Sequence, residues 1–291
     1  MKPAQFDYQA PERLDELLEL LADELTDVRV IAGGQSLVPM MNFRLAAPEL
    51  LLDLRRIDEL ERLELGGGEL VVGARVTQAR LLRELERDGR WPVLAEAIRH
   101  IGHPQIRSRG TVCGSLAHHD PTAELPALAV ALGARMTARS SAGTRQIPAE
   151  EFFTSYYENA LEPGELLSEV AFPAWPAGRG WSFQEIARRR GDFALVGAVA
   201  TVDRDGSGTA VAAARLVVFG AAERPLLLDE VDELLRGAAP DAERVEAVQR
   251  LVAETVTPVD DAHAGADYRR ANAARLAAAA VERAWERSGG V

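Results

Sequence analysis

The chain has 291 residues, 47% hydrophobic and 27% charged, with 45 acidic against 33 basic residues for a formal net charge of −12. That length supports one large domain or about two, while the single cysteine, Cys113, excludes a disulfide-stapled scaffold and five histidines without ligand spacing exclude a structural zinc site. No stretch approaches the roughly 20 apolar residues that span a bilayer, Gln5, Asp7 and Tyr8 stand where a secretion signal needs an apolar run, and the acidic balance is the wrong sign for nucleic acid, so a cytoplasmic protein with neither membrane insertion nor a nucleic-acid partner is expected.

Taken in chain order, Leu14 to Leu25 repeats apolar residues at helical spacing, and Val28-Arg29-Val30-Ile31 reads as a short buried strand. The strand runs into Ala32-Gly33-Gly34-Gln35-Ser36-Leu37, where two glycines permit a turn closed to other residues. A helical or turn-rich piece to Arg44 precedes a second strand at Leu50 to Leu54, and Gly66-Gly67-Gly68 between two apolar runs predicts a hairpin. Thr77 is placed to cap a helix over Gln78 to Arg87, and Pro92 to open another ending near Gly102.

The stretch His103 to Pro126 is rich in Gly, Pro, Ser, Thr and His and lacks a clean period, which predicts a long ordered loop of the functional kind. Beyond it the pattern predicts a short apolar helix (Leu125 to Leu132), a hairpin across Ser140 to Gly143 and a strand at Leu166 to Phe172. Proline and glycine from Pro173 to Gly178 mark a boundary, which divides the chain into 1–175 and 178–288. Strands are then expected at Trp181 to Ala187, Leu195 to Val202 and Val211 to Phe219, the last two joined by Asp205-Gly206-Ser207-Gly208. Helices are expected near Leu226 to Leu235, Asp241 to Glu254 and Ala266 to Glu286. The whole reads as an α+β protein of two unequal parts.

Two segments carry the chemistry. The turn at 32–37 is either a phosphate cradle, its bare amides turned inward, or an ordinary strand-to-helix turn; neither the dinucleotide-binding nor the P-loop glycine spacing is present. Thr111 to Ser115 forms a second small-residue turn, and Glu124, nine positions beyond Ser115, is suited to hydrogen-bond a ribose or polyol. Two such turns, remote in sequence, suit one extended ligand with a central diphosphate, held by local amides and not by the global field. Arg188-Arg189-Arg190 is a solvated face, a partner contact, or a strand whose middle arginine pairs with a buried carboxylate. The alanine-rich end, Ala271 to Ala284, is a packing helix or a subunit interface.

The pair A-G-G-Q-S-L and R-G-T-V-C-G-S-L-A-H-H-D-P-T-A-E-L-P resembles the FAD-binding medium subunit of the molybdenum hydroxylases, which include aerobic carbon monoxide dehydrogenase, xanthine dehydrogenase and bacterial dehydrogenases of N-heterocycles. Glu185-Ile186-Ala187-Arg188-Arg189-Arg190-Gly191-Asp192-Phe193-Ala194 and Ala266-Asp267-Tyr268-Arg269-Arg270 extend the resemblance, in the family's order, over nearly the whole chain. It implies a two-part FAD-binding domain of the vanillyl-alcohol-oxidase/PCMH type, followed by a smaller α+β domain of antiparallel sheet and helices. By the same resemblance, Ala32, Gly33, Gly34, Gln35, Ser36 and Leu37 bind the FAD diphosphate. Thr111, Gly114 and Ser115 close on the same cofactor, with Ile101, Gly102, Glu124 and Leu167 beside it and Phe193 over the isoalloxazine ring, a stacking worth roughly 1 kcal/mol beyond burial.

Two departures stand out. Gln184 replaces a lysine of some relatives, and Cys113 replaces the commoner second glycine, at a cost on the order of 1 kcal/mol if the position needs positive φ. Cys113 is otherwise a small buried hydrophobe or, without a partner thiol, an isolated redox group. His118 and His119 are polar cofactor-site residues, metal ligands or a covalent flavin link; no recognised ligand set is complete.

The resemblance implies an oxidoreductase subunit that passes electrons from 2Fe-2S clusters on a small subunit, through FAD, to an external acceptor. Substrate is hydroxylated on a large molybdopterin subunit, and the assembly is a dimer of heterotrimers. The alternatives are a self-sufficient flavoenzyme of the same fold class, with His103, His118 and Glu124 as candidate acid–base groups, or a non-catalytic module with degenerate glycine turns.

Overall fold

The structure is a computed structural model, and it describes residues 2–23, 25–66 and 68–289. Three short strands, Asp7–Gln9, Val28–Ile31 and Leu50–Asp53, form a parallel sheet with Leu50–Asp53 in the middle. Parallel strands need crossover connections: the helix Leu37–Asn42 lies between the neighbours Val28–Ile31 and Leu50–Asp53, while the helix Leu14–Leu21 joins the two outer strands and buries Leu14, Leu17 and Leu18. It stops at Leu21, short of the expected Leu25. The central strand likewise ends at Asp53, whose side chain accepts from the Arg55 N–H at 2.8 Å and turns the chain into a 3-10 helix, Leu54–Arg56.

A five-stranded antiparallel sheet follows, ordered Leu63–Gly66, Glu69–Gly73, Leu166–Phe172, Arg135–Ser140 and Gly143–Pro148. The hairpin expected around Gly66 to Gly68 joins its first two strands, with Gly67 itself outside the described residues. Leu166–Phe172, whose side chains are nearly all buried, is the central strand. Its pairing with Arg135–Ser140 is shifted between Leu167 and Glu169, and Leu166 and Leu167 line the cavity described below. Thr77 accepts from the Arg80 N–H at 3.2 Å and starts the helix Gln78–Asp88, while Pro92 opens the helix Pro92–His100.

The expected loop from 103 to 126 is instead helical. Pro104–Arg107, Val112–His118 and Glu124–Ala131 are three short helices separated by tight turns. The first two are too short for apolar periodicity to declare itself, and the third stands where the short apolar helix was expected at Leu125 to Leu132. Glu124–Ala131 is buried on every side, the condition in which a helix carries no amphipathic signature.

The chain then builds a four-stranded antiparallel sheet from Gly180–Ala187, Ala194–Arg204, Val211–Phe219 and Leu226–Leu227. The last of these corrects an expected helix: Leu226 and Leu227 pair with Val218 and Val217, and the helix starts only at Glu230–Leu235. Ala242–Thr255 and the long Ala266–Arg287 close the fold. The latter packs its buried alanines, with Leu276 and Val281, against the strands, and Arg269 from its first turn donates to the Leu195 and Gly220 carbonyl oxygens and to Asp261 Oδ2. Arg188, Arg189 and Arg190 lie on an exposed turn after the first strand, with Arg188 3.2 Å from His263, so the reading as a strand with a paired middle arginine does not hold.

Candidate functional site

The glycine turn and the segment around Arg109 are in direct backbone contact. A Cβ at Gly33 would collide with the Arg109 carbonyl and with Gly110, while Gly34 adopts φ +71°. Glycine is therefore required twice, once for approach and once for backbone conformation. Gln35 Nε2 donates back to the Gly33 carbonyl oxygen at 3.0 Å, and the Gly34, Gln35 and Ser36 N–H groups donate to no protein acceptor among the described residues.

Across from the turn, Thr111 is the N-cap of the helix Val112–His118. Its hydroxyl accepts from the Gly114 N–H at 3.1 Å, and a Cβ at Gly114 would approach that hydroxyl to 2.7 Å. The second small-residue turn of the sequence is thus the first turn of a helix. The Val112 N–H donates to the Val76 carbonyl oxygen and the Gln78 N–H to the Gly110 carbonyl oxygen, which fixes the segment to the chain entering the helix Gln78–Asp88.

Between these elements lies a cavity of about 490 Å³. Ala32, Gly33, Gly34, Gln35, Ser36 and Leu37 line one side, Thr111, Gly114 and Ser115 another, and Ile101, Gly102, Glu124, Leu167 and Phe193 complete the wall, so the residues singled out from the resemblance converge on one space. Phe193 is exposed and arrives on a segment seated against Gly102 and His103: a Cβ at Gly191 would lie 2.7 Å from the His103 ring and 2.9 Å from the Gly102 carbonyl oxygen.

The electrostatics of the wall follow from burial. Glu124, 3% exposed, has its carboxyl pushed up to about 8 by desolvation first, then by the charges of Glu185 and Asp120. It is mostly protonated at neutral pH and able to donate a hydrogen bond as well as accept one. Burial also drives His118 and His119 down towards the neutral imidazole. His119 is fully buried with Nδ1 2.7 Å from the Glu158 carbonyl oxygen, whereas His118 lines the cavity and packs on Tyr157 at 5.3 Å. No cluster of three or more His, Cys, Asp or Glu side chains among the described residues is arranged to hold a metal ion.

Cys113 sits inside the helix with ordinary helical backbone, so the cost attached to positive φ does not arise. It is buried, its thiol lies 3.5 Å from the Val72 carbonyl oxygen, and burial raises its pKa far above the usual thiol range, as expected of a packing residue and not of a reactive one. Gln184 is half-buried and donates to Ser182 Oγ at 3.0 Å.

Several wall residues carry no signal in the sequence. Gln78 is 4% exposed, lines the cavity and has its Oε1 buried without a partner, yet a glutamine after a capping threonine looks like any helix start. Arg29, Glu165 and Asp192 also border the space. Glu185, placed only as part of a motif, proves to be an electrostatic neighbour of Glu124.

A bare glycine turn, a capped helix start and a mostly apolar cavity with a neutral buried carboxyl define a site for an elongated cofactor carrying a central diphosphate. The chain belongs to the family described as the FAD binding domain in molybdopterin dehydrogenase, whose model matches residues 4–175, and residues 181–284 match the CO dehydrogenase flavoprotein C-terminal domain. The fold is accordingly the FAD-binding domain of that family followed by a smaller α+β part, and FAD is its cofactor. It is 39% identical to the 6-hydroxypseudooxynicotine dehydrogenase complex subunit alpha of Paenarthrobacter nicotinovorans, over 92% of this chain and 90% of that one. It is 34% identical to the carbon monoxide dehydrogenase medium chain of Hydrogenophaga pseudoflava, over 99% of both. The structure of carbon monoxide dehydrogenase from the same organism, in a form lacking the Mo-pyranopterin moiety, superposes with a TM-score of 0.95 at 35% identity, covering 99% of this chain and 100% of that one. The chain is thus an oxidoreductase component, and no helix among the described residues is long and apolar enough to cross a membrane.

Proposed function

We propose that the chain is the FAD-holding electron-transfer subunit of a multi-subunit molybdenum hydroxylase, passing electrons from 2Fe-2S clusters on a small subunit to an external acceptor. The observation that carries this reading is the convergence of the 32–37 turn, the capped start at Thr111 and the buried Glu124 on one cavity of about 490 Å³, within the roughly 300–1,000 Å³ typical of cofactor sites. The residues fit the group. Gly33 and Gly34 leave a cradle that side chains would fill, and the unpartnered Gly34, Gln35 and Ser36 N–H groups suit a diphosphate.

In this reading Ala32 to Leu37, with Thr111, Gly114 and Ser115, hold the diphosphate. Ile101, Gly102 and Leu167 pack along the cofactor, Glu124 hydrogen-bonds it as a neutral carboxyl, and Phe193 covers the ring and excludes water. A flavin bound there supplies reversible one- and two-electron chemistry. The chain's own role is to fix the ring's position and, through neutral Glu124, to keep a second negative charge away from it. Cluster ligation belongs elsewhere, because a 2Fe-2S centre takes four cysteine thiolates and this sequence offers only Cys113. Substrate chemistry is assigned to a large molybdopterin subunit and the clusters to a small one, in a cytoplasmic dimer of heterotrimers. The relatives described as a medium chain and as a complex subunit support that division.

Purification of the native complex tests the reading. The chain is expected to come out with two other polypeptides and to carry one flavin seen in its visible spectrum, and Gly33→Val is expected to fold yet remain colourless. A chain that purifies alone and turns over a substrate sinks it.

A further inference from the structure

Gln78 is the first residue of the helix Gln78–Asp88, directly after the capping Thr77. Its backbone N–H donates to the Gly110 carbonyl oxygen at 2.8 Å and Thr77 accepts from the Arg80 N–H, so the helix start needs nothing from the Gln78 side chain. A glutamine in that position ordinarily reaches solvent. This one is 4% exposed, borders the cavity and lies over Gly110, where an added Cβ would come within 3.2 Å of Gln78 Oε1 and 3.3 Å of its Cδ. Gly110 backs in turn onto Gly33, whose own Cβ would fall 2.8 Å from the Gly110 Cα. The amide is therefore held at the seam between the 32–37 turn and the segment that starts the helix Val112–His118.

The protein leaves that amide unfinished. Oε1 is buried with no hydrogen-bond partner, and no protein group takes up the Nε2 donors among the described residues. Other polar side chains of the wall are engaged within the fold: Gln35 Nε2 donates to the Gly33 carbonyl oxygen, the Thr111 hydroxyl accepts from the Gly114 N–H, and Glu165 is held by Arg145 at 2.7 Å. A glutamine amide carries two donors and an acceptor, and burying it unpaired is a net loss of stability. Methionine fills a similar shape without that loss, so packing does not account for the residue. Buried polar groups left open by the fold, at the wall of a cavity, are the ones a ligand completes.

We propose that Gln78 is a further ligand-binding residue of this cavity, whose amide is completed by a polar group of the bound cofactor and not by the protein. The inference rests on the flavin reading above and deepens it. The seam joins the two segments assigned there to the diphosphate, so the amide serves the polar middle of the dinucleotide, where phosphate and hydroxyl oxygens offer acceptors and donors alike. Because the amide turns about its last side-chain bond, either end can meet such a group. A ligand with an apolar middle leaves the amide unpaired and is selected against on that ground. The residue thus weakens the empty chain and strengthens the loaded one, two effects of opposite sign that a merely structural glutamine does not produce.

The test is Gln78→Met in the full chain, read with and without FAD. Stripped of FAD, the variant is expected to melt about 2–4 °C above the parent, because an unpaired buried group has been removed. Its dissociation constant for FAD, from a fluorescence titration, is expected to be roughly tenfold higher. A variant that melts at or below the parent temperature shows the amide to be satisfied within the fold, and one that binds FAD as tightly shows that the cofactor does not use it; either overturns the proposal. The parent supplies a second measurement that depends on no variant. The Gln78 side-chain NH2 resonances, assigned through bonds from its backbone, are expected to shift and to exchange more slowly with D2O once FAD is added, and unchanged resonances overturn the proposal. A parent chain that stays colourless with excess FAD marks failure of the flavin reading and takes this inference with it, whereas a yellow parent beside an equally tight variant sinks the role of Gln78 alone.

Discussion

At Gly33 the backbone of one glycine segment rests on the backbone of another, and any side chain would drive the Arg109 carbonyl away. Overpacking of this kind costs about 1–3 kcal/mol, so Gly33→Ala is expected to lower stability by that amount in a denaturant titration and to weaken FAD binding at least roughly tenfold. Equal affinity in the variant would show that the turn does not hold the cofactor. Glu124 makes a different prediction, because its cost depends on pH. Its folded value, about 8 against 4.5 for the free side chain, means that the folded chain holds a proton the unfolded chain has lost between those two values. The associated stability is full below about pH 4.5 and is lost as pH rises towards 8, at no more than roughly 1.4 kcal/mol per unit. Glu124→Gln keeps the neutral shape without the proton. In the ligand-free chain its melting temperature is expected to match the parent at pH 4.5 and to exceed it increasingly up to pH 8; parallel melting curves across that range would disprove the assignment.

Elements with a clean period or an unambiguous breaker were legible in advance: Val28–Ile31 and Leu166–Phe172 stand where the apolar runs put them, although Val28–Ile31 is half-buried to exposed and not buried as expected, and Thr77 caps the helix it was expected to cap. The failures fall where an element is too short for a period or is made by tertiary pairing. Val112–His118 ends after two turns with His119 in the left-handed region, so its composition reads as a loop, whereas the apolar helix expected at Leu125 to Leu132 stands at Glu124–Ala131. Leu226–Leu227 is a strand because Val217 and Val218 offer it an edge, a fact of tertiary pairing. Proximity was legible only through the family resemblance: the residues it singled out do share a cavity, but Gln78 lines it and Glu185 acts on Glu124 through packing that nothing local encodes. The Ala266-Asp267-Tyr268-Arg269-Arg270 motif also acquires a physical reason. Arg269 is 4% exposed and ties its helix to the Leu195 and Gly220 carbonyl oxygens, while the Gly220 N–H donates to the Pro121 carbonyl oxygen beside the cavity. Arg269→Met leaves two buried acceptors unpaired, and a loss of about 3 kcal/mol in unfolding free energy is expected; a loss below about 0.5 kcal/mol would show that the arginine is dispensable.

For the molecule as a whole, the question is whether the two parts proposed from the break at 173–178 are independent. They share a core. Phe183, Ala194, Val199, Val217 and Phe219 from the second sheet belong to the same buried cluster as Trp91, Leu125, Leu128 and Phe172, and Glu124–Ala131 lies between them. Trp91 Nε1 also donates to the Pro173 carbonyl oxygen at 2.8 Å, and Arg215 from the second sheet donates to the Val130 carbonyl oxygen at 2.9 Å and to Glu150. An apolar helix covered on one side by each part cannot keep its environment when one part is removed; at roughly 25 cal/mol per Å² of exposed apolar surface, stripping one face of that helix is comparable with the roughly 5–15 kcal/mol that hold a domain folded. The full chain is therefore expected to unfold in a single calorimetric transition, with the van't Hoff and calorimetric enthalpies agreeing. A fragment of residues 1–175 is expected to aggregate or to lack a cooperative transition. If that fragment melts at the temperature of the intact chain, the shared core contributes nothing and the Glu124 helix does not depend on the second sheet.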